Sequence, residues 1–330
     1  MVPACDFIRF PATIKRKHAF AKEGILMLAY GYRKFGGPAV FETITQPVLE
    51  PANNQITIET LAVNLNDQDR RERLGTGTDL VLPTIPGHDV VGKVLKVGPG
   101  VTGLTIGTLV AAHAQHTYAE QVTLDSDLAV TVPNDVTPAQ AASLITPGIT
   151  AYKAVRYFAD VQKDQTVIVQ GAGSMVGMLT IQLAQRLGAN VIAIAPSHFT
   201  DKLTALGVEQ VVAPDRQNPV HVLADRGDVI INVSHDNTNG KDDLAMAKFN
   251  ATIASFATHL PATSKSIRFQ VLHPTNVISD QATLQMLFKL LRTGQLTVDI
   301  AQQLPFTLDG FIQGHTLLDE PYSGQLIVAK

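Results

Sequence analysis

Gly171, Gly173 and Gly177 are spaced so that a backbone can fold tightly around an anion. They follow the apolar run Thr166 to Gln170 and lead into the amphipathic run Met178 to Leu187. Gly188 then ends that run before a second apolar stretch, Val191 to Ala195. A strand, a glycine turn, a helix, a glycine stop and a second strand form the phosphate-binding half of a dinucleotide fold. Glycine serves space here: the turn is tight, the backbone approaches a diphosphate, and the helix packs close to the strand. The helix start offers free N–H groups and partial positive charge. The expected cradle is Gly171, Ala172, Gly173, Ser174, Met175, Val176 and Gly177. The spacing reads G-x-G-x-x-x-G, or G-x-x-G-x-x-G with Ser174 in the middle place, where its hydroxyl is a candidate phosphate ligand.

The end of the second strand bears on which dinucleotide is bound. An NAD site usually places Asp or Glu there to hold the ribose 2′-hydroxyl. The sequence Ala195-Pro-Ser-His-Phe-Thr-Asp-Lys202 has no acid at that end, whereas Ser197, His198 and Lys202 suit a 2′-phosphate. These residues favour NADPH over NADH.

The elements that would position this chemistry fall into two kinds. From Met27 to about Val132, short alternating runs are separated by glycine and proline: Met27–Tyr32, Gln55–Val63, Val90–Val97, Gly107–Ala112 and Thr117–Val122. Period-two alternation with such punctuation predicts a small, mostly antiparallel, barrel-like domain. From Pro138 the period changes. Two helices are predicted, Ala139–Ile145 and Thr150–Phe158, and then strands alternate with helices. Strand candidates are Val208–Ala213, Asp228–Val233, Ala251–Phe256 and Ile267–Leu272. That alternation predicts a parallel sheet covered on both faces. A helix over Gln281–Arg292, with Leu284, Leu287, Phe288 and Leu291 on one stripe, precedes a closing strand at Gln325–Val328.

Composition removes several alternatives. The 330 residues are 45% hydrophobic and 17% charged, which suits a folded chain with substantial cores. A net charge of −3 gives no basic field for nucleic acid or an anionic membrane. No apolar run approaches the ~20 residues of a membrane span, and a cytoplasmic protein is expected. Cys5 is the single cysteine, so a disulfide within the chain and a cysteine-built zinc site are both excluded. Residues 1–26 are basic without an apolar core, which argues against a secretory signal. They are expected to be a disordered extension or to precede a true start at Met27, because Lys22-Glu23-Gly24 can be encoded by a purine-rich ribosome-binding stretch.

Five segments together resemble the medium-chain dehydrogenase/reductase superfamily over roughly Met27 to Lys330. They are Tyr30–Glu42, Val63-Asn-Leu-Asn-Asp67, Pro86-Gly-His-Asp-Val-Val-Gly92, Gly148-Ile-Thr-Ala-Tyr152 and Ser323-Gly-Gln-Leu-Ile-Val328. The resemblance implies a Rossmann-type doubly wound parallel sheet plus a GroES-like antiparallel β-barrel. It implies domains at 27–145 and 146–278, with 279–330 returning to the first. The zinc-independent quinone oxidoreductase branch fits best, because Asn64 stands where a first cysteine ligand would be and His88 alone cannot make a catalytic zinc site. The implied reaction is hydride transfer from NADPH to a quinone or an α,β-unsaturated carbonyl. Asn64 is then the candidate polar group at the nicotinamide or acceptor oxygen. Asp67 orients that loop or pairs with Arg70 or Arg71, Thr150 contacts phosphate or nicotinamide, and Tyr152 either donates a proton or packs its ring. Departures from the family pattern are Ser174 for a glycine, Asp89 for a glutamate, Thr108 in the usual Gly-Asp-Arg-Val segment, and a shortened loop after Ala195. A homodimer through the strand Ile267–Leu272 is a further family-level expectation. Two other readings stay open: a non-catalytic nucleotide-binding sensor of the same fold, and an alcohol dehydrogenase.

Overall fold

The structure is a computed structural model that describes residues 26–76, 79–234, 240–320 and 322–330. Nearly all of the expected extension, residues 1–25, lies outside the described residues.

The first half is built on antiparallel strands. β1 (Leu26–Gly31) and β2 (Glu42–Pro47) form a hairpin-like pair. β3 (Gln55–Leu65) runs into the short helix α1 (Asp67–Leu74). β4 (Asp89–Val97), β5 (Leu109–His113), β6 (Gln121–Asp125) and β7 (Val130–Thr131) follow. The strand expected at Thr117–Val122 starts later, at Gln121. Tyr118 instead accepts from the Tyr30 amide through its carbonyl, tying the loop ahead of β6 to β1. α1 is anchored from below: Arg73 is fully buried and gives Nη2 to both oxygens of Asp319, at 2.7 and 2.8 Å.

α2 (Pro138–Lys153) differs from expectation. Instead of two helices there is one, continued by a turn of π-helix over Ala154–Phe158, with Pro147 inside it. A proline normally breaks a helix because it removes one donor and crowds the preceding turn. Here burial outweighs that penalty, since Leu144, Ile145 and Ala151 are fully buried in the larger core. The expected domain boundary at 145/146 falls within this helix.

The second half alternates as expected. β8 (Thr166–Gln170), α3 (Met175–Arg186), β9 (Asn190–Ile194), α4 (Thr200–Ala205), β10 (Gln210–Val212), α5 (Pro219–Leu223), β11 (Gly227–Asn232), α6 (Lys241–Met246), β12 (Ala247–Ser255) and β13 (Arg268–Val271) follow in turn. All six strands are parallel, in the order β10-β9-β8-β11-β12-β13. Counted from β8, this is 3-2-1-4-5-6, the doubly wound dinucleotide-binding order. Its apolar strands are buried on both faces, as a covered parallel sheet requires.

α7 (Asp280–Arg292) then packs Leu284, Leu287 and Phe288 inward. β14 (Ile300–Pro305), α8 (Leu308–Leu318) and β15 (Gln325–Ala329) follow, with β14 and β15 joining the first half's sheet beside β3. The fold is therefore a GroES-like β domain joined to a Rossmann-like parallel sheet. α2 contacts β3, β4 and β5 on one side and α3 on the other, so it links the two sites described next.

Candidate active site

The glycine turn sits at the C-terminal end of β8, beside the point where β8 and β11 send the chain to opposite faces. Ligands of open parallel sheets bind in that crevice. Gly171 has φ +75°, and a Cβ on it would lie 2.9 Å from the amide nitrogen of Ser234. A Cβ on Gly177 would lie 2.3 Å from the Gly171 carbonyl oxygen, so the helix start presses directly on the turn. Ser174 is the helix N-cap. Its Oγ accepts from the Gly177 amide at 3.1 Å and donates to the Gly171 carbonyl at 2.8 Å. The hydroxyl is therefore engaged within the turn. The amides of Met175 and Val176, at the first two helical positions, have no acceptor inside the helix and carry the positive end of its dipole. Gly173 makes room for a side chain: a Cβ there would lie 2.7 Å from the Phe199 ring. The turn fits a diphosphate through its amides, with Phe199 as one wall.

Beneath the crevice lies a buried carboxylate absent from the sequence reading. Asp243 accepts from Gln170 Nε2 and, at 3.0 and 3.1 Å, from Asn232 Nδ2. Gln170 and Asn232 are the last residues of β8 and β11, so Asp243 clasps the two strand ends at the switch point. Burial raises its pKa, over the opposing pull of those hydrogen bonds.

The expected 2′-phosphate group is not brought together. Lys202 points its ammonium at Asp299 (2.6 Å) and the Ser323 hydroxyl (2.6 Å). The His198 ring lies against Phe199 with centroids 4.2 Å apart. Ser197 gives both its amide and its hydroxyl to Asp215, at 2.8 and 2.5 Å.

The second polar centre lies where β3, β4, β5 and α2 meet. Asn64 is fully buried. Its Nδ2 donates to Asn66 Oδ1 at 2.8 Å and to Asp89 Oδ2 at 3.1 Å, while its Oδ1 has no partner. The expectation that Asn64 offers donors to a bound carbonyl meets a different geometry: the donors are already committed, and a buried acceptor is left open. Asp89 is the hub. It also accepts from Asn66 Nδ2 (2.9 Å), the Thr146 amide (3.2 Å) and the Thr146 hydroxyl (2.7 Å). His113 Nδ1 lies 3.3 Å from it. Burial alone would raise the Asp89 pKa, but these hydrogen bonds and the His113 charge hold it below the usual carboxylate range. For His113, burial disfavours the cation, yet Asp89 outweighs it and raises the pKa.

Beside this centre stand Asp69, Glu72 and His88, the one group of potential metal ligands among the described residues, their ligand atoms within 4.8 Å of one another. His88 Nε2 lies 2.9 Å from Glu72 and 3.8 Å from Asp69. Burial opposes its charge, but the two carboxylates raise its pKa to about 9. The imidazolium offsets one of the two acidic charges, and burial pushes the Asp69 pKa up to about 7, which favours its neutral form.

The other expected residues are dispersed. Asp67 pairs with Arg71 at 3.0 Å and Arg70 at 3.8 Å, one of the alternatives left open above. Thr150 and Tyr152 lie on α2, with Tyr152 half-buried against the larger core. The residues that do converge, Asp89, His113 and Thr146, were missed. Their signal is register: β4 and β5 pair Asp89 directly with His113, and no single segment of sequence shows that.

Comparison with known proteins agrees with this architecture. The alcohol dehydrogenase GroES-like domain family matches residues 52–135, and the zinc-binding dehydrogenase family matches residues 176–294. Quinone oxidoreductase 1 of Escherichia coli (strain K12) is 26% identical over 310 residues, covering 87% of this chain and 94% of that protein. The 2-methylene-furan-3-one reductase of Solanum lycopersicum is 26% identical over 309 residues, covering 89% of this chain and 76% of its own. Among solved structures, the quinone oxidoreductase from Coxiella burnetii superposes with a TM-score of 0.81 at 27% identity, covering 93% of this chain and all of that one. Both domains, their order and the full-length relatives agree: the chain belongs to the medium-chain dehydrogenase/reductase superfamily, in its quinone oxidoreductase branch.

Proposed function

We propose that the protein transfers hydride from a reduced pyridine dinucleotide to a quinone or an α,β-unsaturated carbonyl. The observation that carries this is the open pair of amides at Met175 and Val176, set at the switch point of a 3-2-1-4-5-6 sheet. When bound, the dinucleotide supplies the hydride, and the protein supplies position and charge. The amides of α3 hold the diphosphate. α2 touches α3 and brings Thr146 to the Asp89 centre, and Thr150 and Tyr152 follow on the same helix, which keeps both as candidate contacts to the cofactor. Asn64 Oδ1, buried and unpaired, is suited to accept a carboxamide N–H or a substrate hydroxyl.

Reduction of either acceptor leaves a negative oxygen that must be stabilised and protonated. We assign this to His113. Its Nδ1 is held by Asp89, it is 38% exposed, and its cationic form is favoured. Nε2 is then the nitrogen left to donate, and solvent can restore the proton. With His113 in this role, Tyr152 is left to its other reading, packing its ring against the larger core.

The fold family's catalytic zinc does not fit these residues. Cys5 is the single cysteine, Asn64 occupies the strand end that would present a thiolate, and the Asn64 amide is hydrogen-bonded to Asp89. We therefore read the reaction as zinc-independent. Residues 27–145 with 279–330 are read as the acceptor-binding unit and 146–278 as the nucleotide unit. β13 is the edge strand of the parallel sheet, and pairing of two such edges would give the expected homodimer. A cytoplasmic location remains the reading from composition; no helix among the described residues is long and apolar enough to cross a membrane.

The test is oxidation of NADH and NADPH against a panel of benzoquinones and enals. Turnover that depends on the acceptor supports the proposal. Dinucleotide binding without turnover across the panel would favour the non-catalytic sensor, which the committed donors of Asn64 make the second reading.

A further inference from the structure

Asp215 lies in the turn after β10 and is bonded to the turn that follows β9. β10 lies beside β9, so the turn that follows β10 is carried against the turn that follows β9. The result is a two-point contact: Asp215 Oδ1 accepts the Ser197 amide at 2.8 Å and Oδ2 accepts its hydroxyl at 2.5 Å. In a dinucleotide fold the end of the second strand, here β9, holds the ribose 2′-position, and an acid there selects the free hydroxyl. This chain has no acid on β9 or just after it. The neighbouring strand supplies one across the sheet.

We propose that Asp215 is the specificity-determining residue of the dinucleotide site and selects NADH over NADPH. This rests on the dinucleotide reading given above and adds its preference. A carboxylate has about four acceptor positions over its two oxygens. Ser197 uses two, so each oxygen keeps capacity for a ribose hydroxyl. The side chain is 45% exposed and open to a ligand. A 2′-phosphate placed there would meet a like charge within hydrogen-bonding range. The nearby cations are already paired. Lys202 is bound to Asp299 and Ser323, and Arg216 holds its Nε 3.6 Å from Asp215 itself. The sequence-based preference for NADPH counted Ser197 and Lys202 as free ligands, and in the structure neither is.

Arg216 makes the proposal more specific. Its Nε also lies 3.5 Å from the Ser197 hydroxyl. Removing the Asp215 carboxylate should leave a guanidinium facing the same spot, which is the group that accommodates a 2′-phosphate in NADP sites. Loss of the acid should therefore both weaken NADH and strengthen NADPH.

The experiment measures dissociation constants of NADH and NADPH by calorimetry on the full chain, for the wild type, Asp215→Ser, and Asp215→Ser with Arg216→Ala. Both side chains lie in an exposed turn, and thermal melting checks that the variants fold. NADH should bind roughly tenfold or more tighter to the wild type. Asp215→Ser should bring the two constants together or invert them, and adding Arg216→Ala should remove the NADPH gain. Equal or tighter binding of NADPH by the wild type overturns the proposal, as does an unchanged ratio in Asp215→Ser. In either case binding itself persists, and the hydride-transfer reading survives. Absence of binding by both dinucleotides removes that reading and this inference with it.

Discussion

His113 Nδ1 lies 3.3 Å from the buried carboxylate of Asp89, and β4 and β5 hold the two residues in direct register. Asp89 is depressed in pKa and His113 raised, each against its own burial, so the pair favours carboxylate and imidazolium. If His113 donates the proton, turnover with a quinone should fall as pH rises through its elevated pKa, because the acid form is lost there. His113→Gln should lower kcat about 100-fold, the lower range for removing a general acid, and should flatten that alkaline limb. Asp89→Asn should move the limb to lower pH by removing the charge that supports the imidazolium. The check is kcat against pH for the three proteins; a wild-type limb retained unchanged in His113→Gln refutes the role.

Gly177 permits no side chain without displacement. Its Cβ would sit 2.3 Å from the Gly171 carbonyl oxygen and 2.7 Å from Ala172 Cα, both backbone atoms that cannot rotate away. Gly177→Val should push α3 off the end of β8 and move the amides of Met175 and Val176 out of line. Overpacking of this kind costs about 1–3 kcal/mol of stability. Dinucleotide affinity should fall together with Tm, and calorimetry on a folded Gly177→Val protein reads both. Unchanged affinity would mean that the diphosphate lies elsewhere.

Lys202 separates two readings of the loop after β9. The sequence offers it as a 2′-phosphate ligand, while the structure ties it to Asp299 and Ser323 ahead of β14 and β15. Lys202 and Asp299 are each more than a third exposed, so the pair contributes no more than about 1 kcal/mol. Lys202→Ala should leave the NADPH to NADH affinity ratio unchanged and shift Tm only slightly. A selective loss of NADPH affinity would restore the lysine to the cofactor site.

Much of the fold was legible because its signals are local. The strand, glycine turn and helix from Thr166 to Arg186 appear in one stretch, and the change from period two to alternating strands and helices marks the two halves. What was not legible depends on partners far apart in sequence. Asp89 meets His113 across a strand pair, Asp215 meets Ser197 across the sheet, and Asp243 meets Gln170 beneath the crevice. The two helices expected at Ala139–Ile145 and Thr150–Phe158 are joined for a related reason: burial in the shared core keeps α2 continuous through Pro147. Asn64 was found by position, yet its hydrogen-bonding state was set by Asp89.

The cluster of Asp69, Glu72 and His88 gives a prediction for stability. The folded pKa of His88 is raised to about 9 from an ordinary value of 6.5. Its contribution is therefore fully present below pH 6.5 and is lost as pH rises through about 9. Asp69 acts in the same direction at lower pH, because burial raises its pKa to about 7 and its ionisation opposes folding between its unfolded value and that point. Tm should fall steadily from near pH 6.5 to pH 9. His88→Gln should be less stable at neutral pH and should lose the upper part of that slope. Because the imidazolium already sits between Glu72 and Asp69, dialysis against a chelator should leave both Tm and turnover unchanged. A chelator-dependent drop in Tm that added Zn²⁺ reverses, and that His88→Gln abolishes, would show instead that the three side chains close around a metal.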